Sequence, residues 1–202
     1  MGVMSFAADA IEGYLSGLPE GVDSYREYEQ KGSIFREFMK GFAASRLVGE
    51  LPPAAAALVK APPAVSQWVP EVHANVVWVA ARAALFESDE AFSNMAYQQN
   101  VRLISSPLYS ILFRLVSPER ILKTAASRWG QFHRGITIAA PIVRDREVTL
   151  EMRAPPGLLP TFLAKAYSTG FRAALEAAGG RAVLVELATQ SPSGFSFRGT
   201  WE

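Results

Sequence analysis

Two histidines are the side chains of this sequence best suited to acid–base chemistry or metal binding. His73 lies in a strongly apolar stretch, with Asn75 and Trp78 close by. A haem or metal ligand needs a buried, oriented imidazole of this kind, but a core histidine hydrogen-bonded to a neighbour fits the same pattern. His133 stands in the run Phe-His-Arg-Gly, where a turn or capping role is the alternative to a functional one. Because the two are far apart in the chain, the sequence alone defines no metal site.

Most other catalytic chemistries lack their residues. The chain contains no cysteine, which excludes thiol catalysis, disulfides, zinc-thiolate sites and cysteine-ligated iron–sulfur clusters. It has no nucleophile elbow, phosphate-binding glycine loop or dinucleotide fingerprint. Glu87, Asp89 and Glu90 precede a predicted helix and suit its N-terminal dipole. We therefore expect no enzyme, no cofactor and no metal. An enzyme without a recognisable motif, built on converging groups such as His73, Arg82 or Glu87, is the third alternative.

Aromatic side chains, most of them near the C-terminal end, suit an apolar cavity between a helix and a sheet. The same rings fit a plainly packed core. The candidate pocket residues are Phe162, Tyr167, Phe171, Phe195, Phe197, Trp201, Trp78 and His73. Gly170, in the middle of a predicted helix, would let that helix approach the sheet closely in either case.

Charge and hydropathy exclude several classes of protein. The 202 residues carry 20 Lys plus Arg against 19 Asp plus Glu, a net charge of +1. Arg120, Lys123 and Ser127 share the outer face of one predicted helix and could meet nucleic acid or an acidic partner. A solvated face explains them as well, and the near-neutral chain argues against a nucleic-acid partner. We find no transmembrane segment and no targeting signal, so we expect a cytoplasmic protein.

The first 130 residues read as helices. Apolar spacing and capping residues predict helices over 6–18, 33–47, 65–86, 88–104, 108–116 and 117–130. The stretch 65–86 is apolar on most sides, so it belongs at the centre of a bundle. Residues 23–31 are polar and are expected to form a solvated turn of helix.

After residue 130 the apolar period changes from that of a helix to that of a strand. Strands are predicted over 136–143, 147–153, 181–189 and 194–201, with a helix over 158–178 between the two hairpins. The inward residues of the first pair are expected to be Ile136, Ile138, Ile142, Val148, Leu150 and Met152. The unit is β-β-α-β-β with a four-stranded antiparallel sheet.

Strand composition bears on how the two halves of the chain meet. The first and third strands carry small or apolar residues on both faces, such as Ala139 and Leu184. This predicts that the helical part covers some of the second sheet face. We expect an α+β fold in which an N-terminal helical bundle packs on the C-terminal β-β-α-β-β unit. The chain is then a single domain over 1–202, in which residues 1–130 are helical and residues 131–202 form the β-β-α-β-β unit.

A set of glycines and aromatics carries a family resemblance. It consists of Arg128-Trp129, Phe132, Tyr167-Ser168-Thr169-Gly170-Phe171, Leu175-Glu176-Ala177-Ala178-Gly179-Gly180 and Phe195-x-Phe197-x-x-x-Trp201. With these residues the chain resembles a myxobacterial paralogous family of uncharacterised proteins of about this length, a domain of unknown function. The C-terminal part is distantly similar to four-vinyl-reductase-type small-molecule-binding domains and to haem nitric-oxide/oxygen sensor domains.

The wider resemblance implies helices against a four-stranded antiparallel sheet, but it does not imply haem. The Tyr-x-Ser-x-Arg pattern of the haem sensors is absent, since Tyr167-Ser168-Thr169 and Tyr109-Ser110-Ile111 both depart from it. A cysteine signature found in some four-vinyl-reductase-type domains is excluded as well.

These observations lead to a functional hypothesis with alternatives. We expect a non-enzymatic cytoplasmic regulatory module that senses an apolar small ligand or docks a partner protein. The alternative is a purely structural or interaction protein, homodimeric through an apolar patch. The sequence identifies neither the ligand nor the partner.

Overall fold

The structure is a computed structural model that describes residues 3–107, 109–110 and 117–202. Within them the helices are α1 Val3–Ser16, α2 Gly32–Met39, α3 Pro53–Lys60, α4 Glu71–Leu85, α5 Asp89–Ser105, α6 Pro118–Lys123, α7 Ala125–Trp129 and α8 Thr161–Ala177. The strands are β1 Glu29–Lys31, β2 Trp68–Pro70, β3 His133–Arg134, β4 Thr137–Ile138, β5 Ile142–Arg144, β6 Glu147–Arg153, β7 Leu184–Ser191 and β8 Gly194–Thr200. Two 3-10 helices cover Gly21–Asp23 and Ala44–Leu47.

The C-terminal part forms one antiparallel sheet. Its strand order is β4–β6–β8–β7, and β5 pairs with β6 on the same side as β4. β4 and β5 are therefore two pieces of the first predicted strand, interrupted at 139–141. α8 joins the two hairpins and packs on the sheet. The expected α+β fold, with a β-β-α-β-β unit and a four-stranded antiparallel sheet, is confirmed.

The inner face of the sheet follows the predicted alternation except at the interruption. Val148, Leu150 and Met152 of β6 are buried, as the period of two requires. Ile142, however, is 59% exposed, so its predicted place on the inner face is wrong. The break before it shifts the strand by one residue, which exchanges the two faces, and Val143 takes the inner side instead.

The second face of the sheet is exposed along most of its length, so the prediction that the helical part covers it is wrong. Leu184 is 52% exposed there. The helical part instead joins the inner face, where Leu18, Val72 and Leu122 share one hydrophobic cluster with the sheet and α8. A single helix is too narrow to cover a four-stranded sheet, so the remaining inner area is left for the N-terminal helices to bury. The number of domains stays a prediction.

α4 occupies the centre of the helical part, as expected, and most of its residues are buried. It begins later than predicted because Trp68–Pro70 form β2. β2 pairs with β1, and β1 also pairs with β3, which makes a second, three-stranded sheet. The sequence analysis missed this sheet and wrongly assigned 29–31 to a turn of helix. Strands of two or three residues are too short to show an alternating pattern.

Local capping signals set the helix starts that the sequence predicted. The Ser88 hydroxyl accepts a hydrogen bond from the Ala91 amide at 3.1 Å, and the Ser117 hydroxyl accepts one from the Arg120 amide at 3.4 Å. Gly179 follows α8 with φ +91°, a left-handed conformation that suits glycine. The predicted helix over 108–116 lies outside the described residues, apart from 109 and 110. No helix of the described residues is long and apolar enough to span a membrane.

One region of the helical core is a continuous stack of rings, called here the aromatic cluster. Successive ring centroids lie 5.1 to 6.2 Å apart, typical of favourable aromatic pairs. Its members are Phe35, Phe38, Phe42, Trp78, Phe86, Phe92 and Phe162.

Candidate functional site

A cavity of about 170 Å³ lies between α5, α8 and the sheet, with α6, α7 and the three-stranded sheet completing its wall. The cavity is partly open at the protein surface, so a small molecule can enter it. Its apolar wall includes Ile34, Phe38, Trp78, Leu103, Ile104, Ile121, Leu122, Ala125, Trp129, Phe132, Ile138, Leu150, Leu163, Ala166, Phe171, Ala174 and Leu175.

Three polar side chains meet at one place on this wall, called here the polar end of the cavity: Gln30, His133 and Tyr167. Gln30 of β1 lies directly opposite His133 of β3 in the antiparallel pair, which puts the two side chains on the same face. The Tyr167 ring, from α8, meets the His133 ring edge-on with centroids 5.5 Å apart. Gln30 is 2% exposed and His133 is 4% exposed. The three-stranded sheet, which the sequence did not predict, therefore positions the polar end of the cavity.

A buried carboxylate holds the imidazole. Glu71, the first residue of α4, is fully buried, and its Oε1 lies 2.6 Å from His133 Nδ1. A carboxylate at this nitrogen fixes the tautomer and orientation of the ring. The second oxygen, Glu71 Oε2, has no hydrogen-bond partner among the described residues.

Two aromatic rings enclose the imidazole. Trp129, the last residue of α7, stacks face to face on His133 with centroids 4.1 Å apart and planes 13° apart. Its indole nitrogen donates to the Ile136 carbonyl at 2.9 Å, which fixes the indole ring. Tyr167 covers another side, and burial, reinforced by the charge of Glu71, raises the pKa of the Tyr167 hydroxyl well above its ordinary value. Tyr167 is therefore a neutral phenol at physiological pH.

The two helices that line the cavity are tied together beside it. Asn100 Nδ2 of α5 donates to Thr169 Oγ1 of α8 at 3.3 Å. Gly170 faces the same asparagine, and an added Cβ would meet its side chain at 3.4 Å. The expectation that Gly170 brings its helix close to the sheet is therefore wrong. The glycine lies on the side of α8 that faces α5, and helical periodicity alone does not say which neighbour a face meets.

The predicted pocket residues separate into two groups. Trp78, Tyr167 and Phe171 line the cavity, and Phe197 packs behind Phe171 with ring centroids 5.2 Å apart. The other four lie elsewhere. Phe162 belongs to the aromatic cluster, Phe195 and Trp201 are buried in the sheet, and His73 is half-buried on α4.

His73 has a separate environment near the first 3-10 helix. Burial lowers the pKa of its imidazole, against the charge of Asp23 and a backbone hydrogen bond at Val22. Arg82, more than two turns along α4, bonds instead to Asp89 Oδ1 at 2.7 Å, and Glu87 is exposed. These groups do not converge, so they form no active site. Among the described residues no group of three or more acidic or histidine side chains is arranged to hold a metal ion.

Sequence reasoning missed Gln30 and Glu71 and treated His133 as a turn residue. One signal was present: Glu71 is an acidic residue inside the most apolar stretch of the chain. Acidic side chains are almost never fully buried unless they are paired, so a partner was to be expected. No pattern in the chain distinguished one histidine from the other as that partner.

Solved H-NOX domains share this fold. An oxygen-binding H-NOX domain related to soluble guanylate cyclases aligns over 85% of this chain and 92% of its own, with a TM-score of 0.60 and 7% identity. An Fe(II) unliganded H-NOX protein from K. algicida aligns over 85% of this chain and 96% of its own, with a TM-score of 0.57 and 9% identity. A mutant of T. Tengcongensis H-NOX aligns over 85% of this chain and 94% of its own, with a TM-score of 0.56 and 8% identity.

At these identities the likeness establishes the fold alone. It confirms, at that level, the expected similarity to haem nitric-oxide/oxygen sensors. No protein-family model and no curated protein sequence matches the chain. The similarities to a myxobacterial family and to four-vinyl-reductase-type domains stay predictions.

The cavity does not fit a haem. Haem iron is held by His, Cys, Met or Tyr, and the described wall offers only two side chains of these types. They are His133 and Tyr167, and both are held at one end of the cavity by ring contacts with Trp129. A volume of about 170 Å³ also falls below the roughly 300–1,000 Å³ typical of larger ligand pockets.

Proposed function

We propose that this chain is a non-enzymatic regulatory module on an H-NOX-like fold that binds a small, largely apolar molecule directly, without haem. One observation carries the proposal: the cavity is lined by apolar side chains and ends in a few buried polar groups. Pockets that bind small molecules combine an apolar wall with a few convergent polar groups in this way. The solved neighbours, one described as an oxygen-binding H-NOX domain, support a sensing role for the fold.

The cavity volume sets the size of the ligand. An engineered apolar cavity of about 150 Å³ binds benzene or xenon, and the present cavity measures about 170 Å³. A single six-membered ring with at most one or two further heavy atoms therefore fits. Toluene and xenon are suitable probes because neither depends on a polar contact.

The proposal is tested by titrating the protein with toluene, followed by thermal unfolding and calorimetry. A ligand that binds only the folded state raises the unfolding temperature as its concentration exceeds Kd. The control is Ala166→Leu, which places a larger side chain on the cavity wall. We expect saturable one-to-one binding to the wild type and none to the variant. If toluene, xenon and phenol all fail to bind the wild-type protein, the proposed function is wrong.

Haem provides a second test. We expect hemin titration to give no stoichiometric complex with a sharp, shifted Soret band, because a cavity of about 170 Å³ is too small for a porphyrin. A tight complex whose spectrum changes in His133→Leu would contradict the haem-free aspect of the proposal.

The remaining expectations stay predictions. They are docking of a protein partner, a homodimer and a cytoplasmic location. The large apolar side chains that are exposed in the described residues, Phe6, Val65, Ile142 and Leu184, occur singly in different parts of the chain. Single exposed apolar residues are ordinary on protein surfaces, so they favour neither interaction alternative.

A further inference from the structure

We infer that the cavity selects a neutral single-ring molecule that carries one hydroxyl group, the phenol class, with the hydroxyl at Gln30 and Tyr167. This inference rests on the proposed function and adds the chemical class of the ligand. It starts from two polar groups on the cavity wall that are left without partners.

Gln30 is the first of these groups. Its side chain is 2% exposed and lines the cavity, yet its Nε2 has no hydrogen-bond partner among the described residues. Buried polar groups are almost always hydrogen-bonded, and leaving one unpaired is costly. A ligand that supplies the missing partner removes this cost.

The Tyr167 hydroxyl is the second group. It has no hydrogen-bond partner within the portion of the chain that the structure describes, whereas Tyr14, another partly buried tyrosine packed against this core, donates to the Leu158 carbonyl at 2.9 Å. The register of β1 with β3 and the ring contact between His133 and Tyr167 bring the groups to the same end of the cavity.

A hydroxyl matches this pair better than other small polar groups. The amide of Gln30 has both a donor and an acceptor side, and a neutral tyrosine hydroxyl both donates and accepts. A ligand hydroxyl also does both, so it is satisfied whichever way the amide is oriented. A carboxylate would have to be stripped of water among apolar side chains. Arg128, the one cation on the described wall, already donates from Nε to Thr124 Oγ1 at 2.7 Å.

The experiment compares phenol, toluene and benzoate on the full chain by isothermal titration calorimetry. Phenol and toluene have the same number of heavy atoms, so they differ chiefly in the hydroxyl. The matched variants are Gln30→Leu, which removes the amide at similar volume, and Tyr167→Phe, which removes one oxygen. Far-UV circular dichroism and unfolding temperature confirm that each variant is folded.

In the wild type we expect phenol to bind, with benzoate at least about tenfold weaker because its charge is desolvated and its carboxylate is larger than the space beside the ring. Each variant should weaken phenol by roughly two- to tenfold, the factor that one net hydrogen bond contributes. Toluene binding should stay unchanged or tighten. If Gln30→Leu fails to fold, Tyr167→Phe decides the inference alone.

The outcomes separate the two proposals. If toluene binds but phenol is insensitive to both variants, the hydroxyl assignment is overturned and the proposed function stands. Benzoate binding tighter than phenol also overturns the assignment. If none of the probes binds the wild type, both are wrong.

Discussion

The aromatic cluster and the cavity are neighbouring regions built from similar residues, yet only one is filled. Trp78 belongs to both, since it contacts Phe35, Phe38 and Phe42 and also lines the cavity. In the cluster each ring packs against the next. Around the cavity the rings of Trp129 and Tyr167 contact each other and the buried His133 imidazole, and space remains beside them. Buried polar groups, more than aromatic content, therefore mark the region that is available to a ligand.

The largest expected effect on stability concerns the buried hydrogen bond between Glu71 and His133. His133→Leu leaves the Glu71 carboxylate buried without its hydrogen bond. Removing one partner of a buried, paired carboxylate typically costs about 3–5 kcal/mol. Urea unfolding measures this loss. The control is Arg198→Ala, which breaks an exposed ion pair with Glu147 and should leave the unfolding free energy nearly unchanged. A loss for His133→Leu no larger than the control's would contradict a structural role of the pair.

A loss of similar size is expected in the aromatic cluster. Phe92 is fully buried between Phe86 and Phe162, and Phe92→Ala should cost about 3–5 kcal/mol of unfolding free energy. Leu103→Ala on the cavity wall should fall near the lower limit of about 2 kcal/mol, because one side of Leu103 already borders empty space. Chemical denaturation of the two variants compares them. A loss for Leu103→Ala near the upper limit of about 5 kcal/mol seen for Leu→Ala would show that the cavity wall is packed as tightly as the cluster.

Larger side chains should be tolerated better on the cavity wall than in the packed core. Ala96 of α5 is fully buried in the packed core, so Ala96→Leu should destabilise by about 1–3 kcal/mol through overpacking. Ala166→Leu introduces the same side chain on the cavity wall and should change stability by less than about 1 kcal/mol. Both are α-helical positions, so helix propensity cancels in the comparison. If Ala166→Leu is the more damaging variant, the cavity is not accessible space.

The smallest effect is a pH dependence at His73, outside both regions. Burial lowers the pKa of His73 from its ordinary value of 6.5, so the unfolded state binds the proton more tightly. Its stabilising contribution is present above about pH 6.5 and is lost as the pH falls toward the folded pKa. His73→Gln should flatten this region of the stability profile, measured by unfolding between about pH 7.5 and pH 5.5. Because His73 is half-exposed, the change is small. Identical slopes for both proteins would contradict the assignment.

The fold could be predicted from the sequence where a pattern of apolar residues extends over a whole strand or helix. β6 follows the predicted range, and its alternation of Val148, Leu150 and Met152 is the buried one. Ser88 and Ser117 mark helix starts because capping is a local interaction. The small sheet escaped prediction because its pairing joins residues about forty and a hundred positions apart, and two or three residues show no period.

The candidate site was only partly predictable for the same reason. Tyr167, Phe171 and Trp78 could be identified as wall candidates because they lie on long helices with a clear apolar face. Gln30 and His133 come together only through a pairing between distant short strands. Whether a ring such as Phe162 fills a core or borders a cavity depends on packing density, which composition does not encode.

The interruption at 139–141 also affects how the sheet meets other copies of the chain. β4 and β5 form one edge of the sheet. An unbroken strand through Ile136, Ile138 and Ile142 would have a long row of backbone groups without strand partners, flanked by apolar, uncharged side chains. Such edges template intermolecular β-pairing and aggregation. Pro141 lacks an amide hydrogen, and the break around it divides the edge into two short pieces. The discontinuity that displaced Ile142 to the surface thus protects the folded protein against edge-to-edge association.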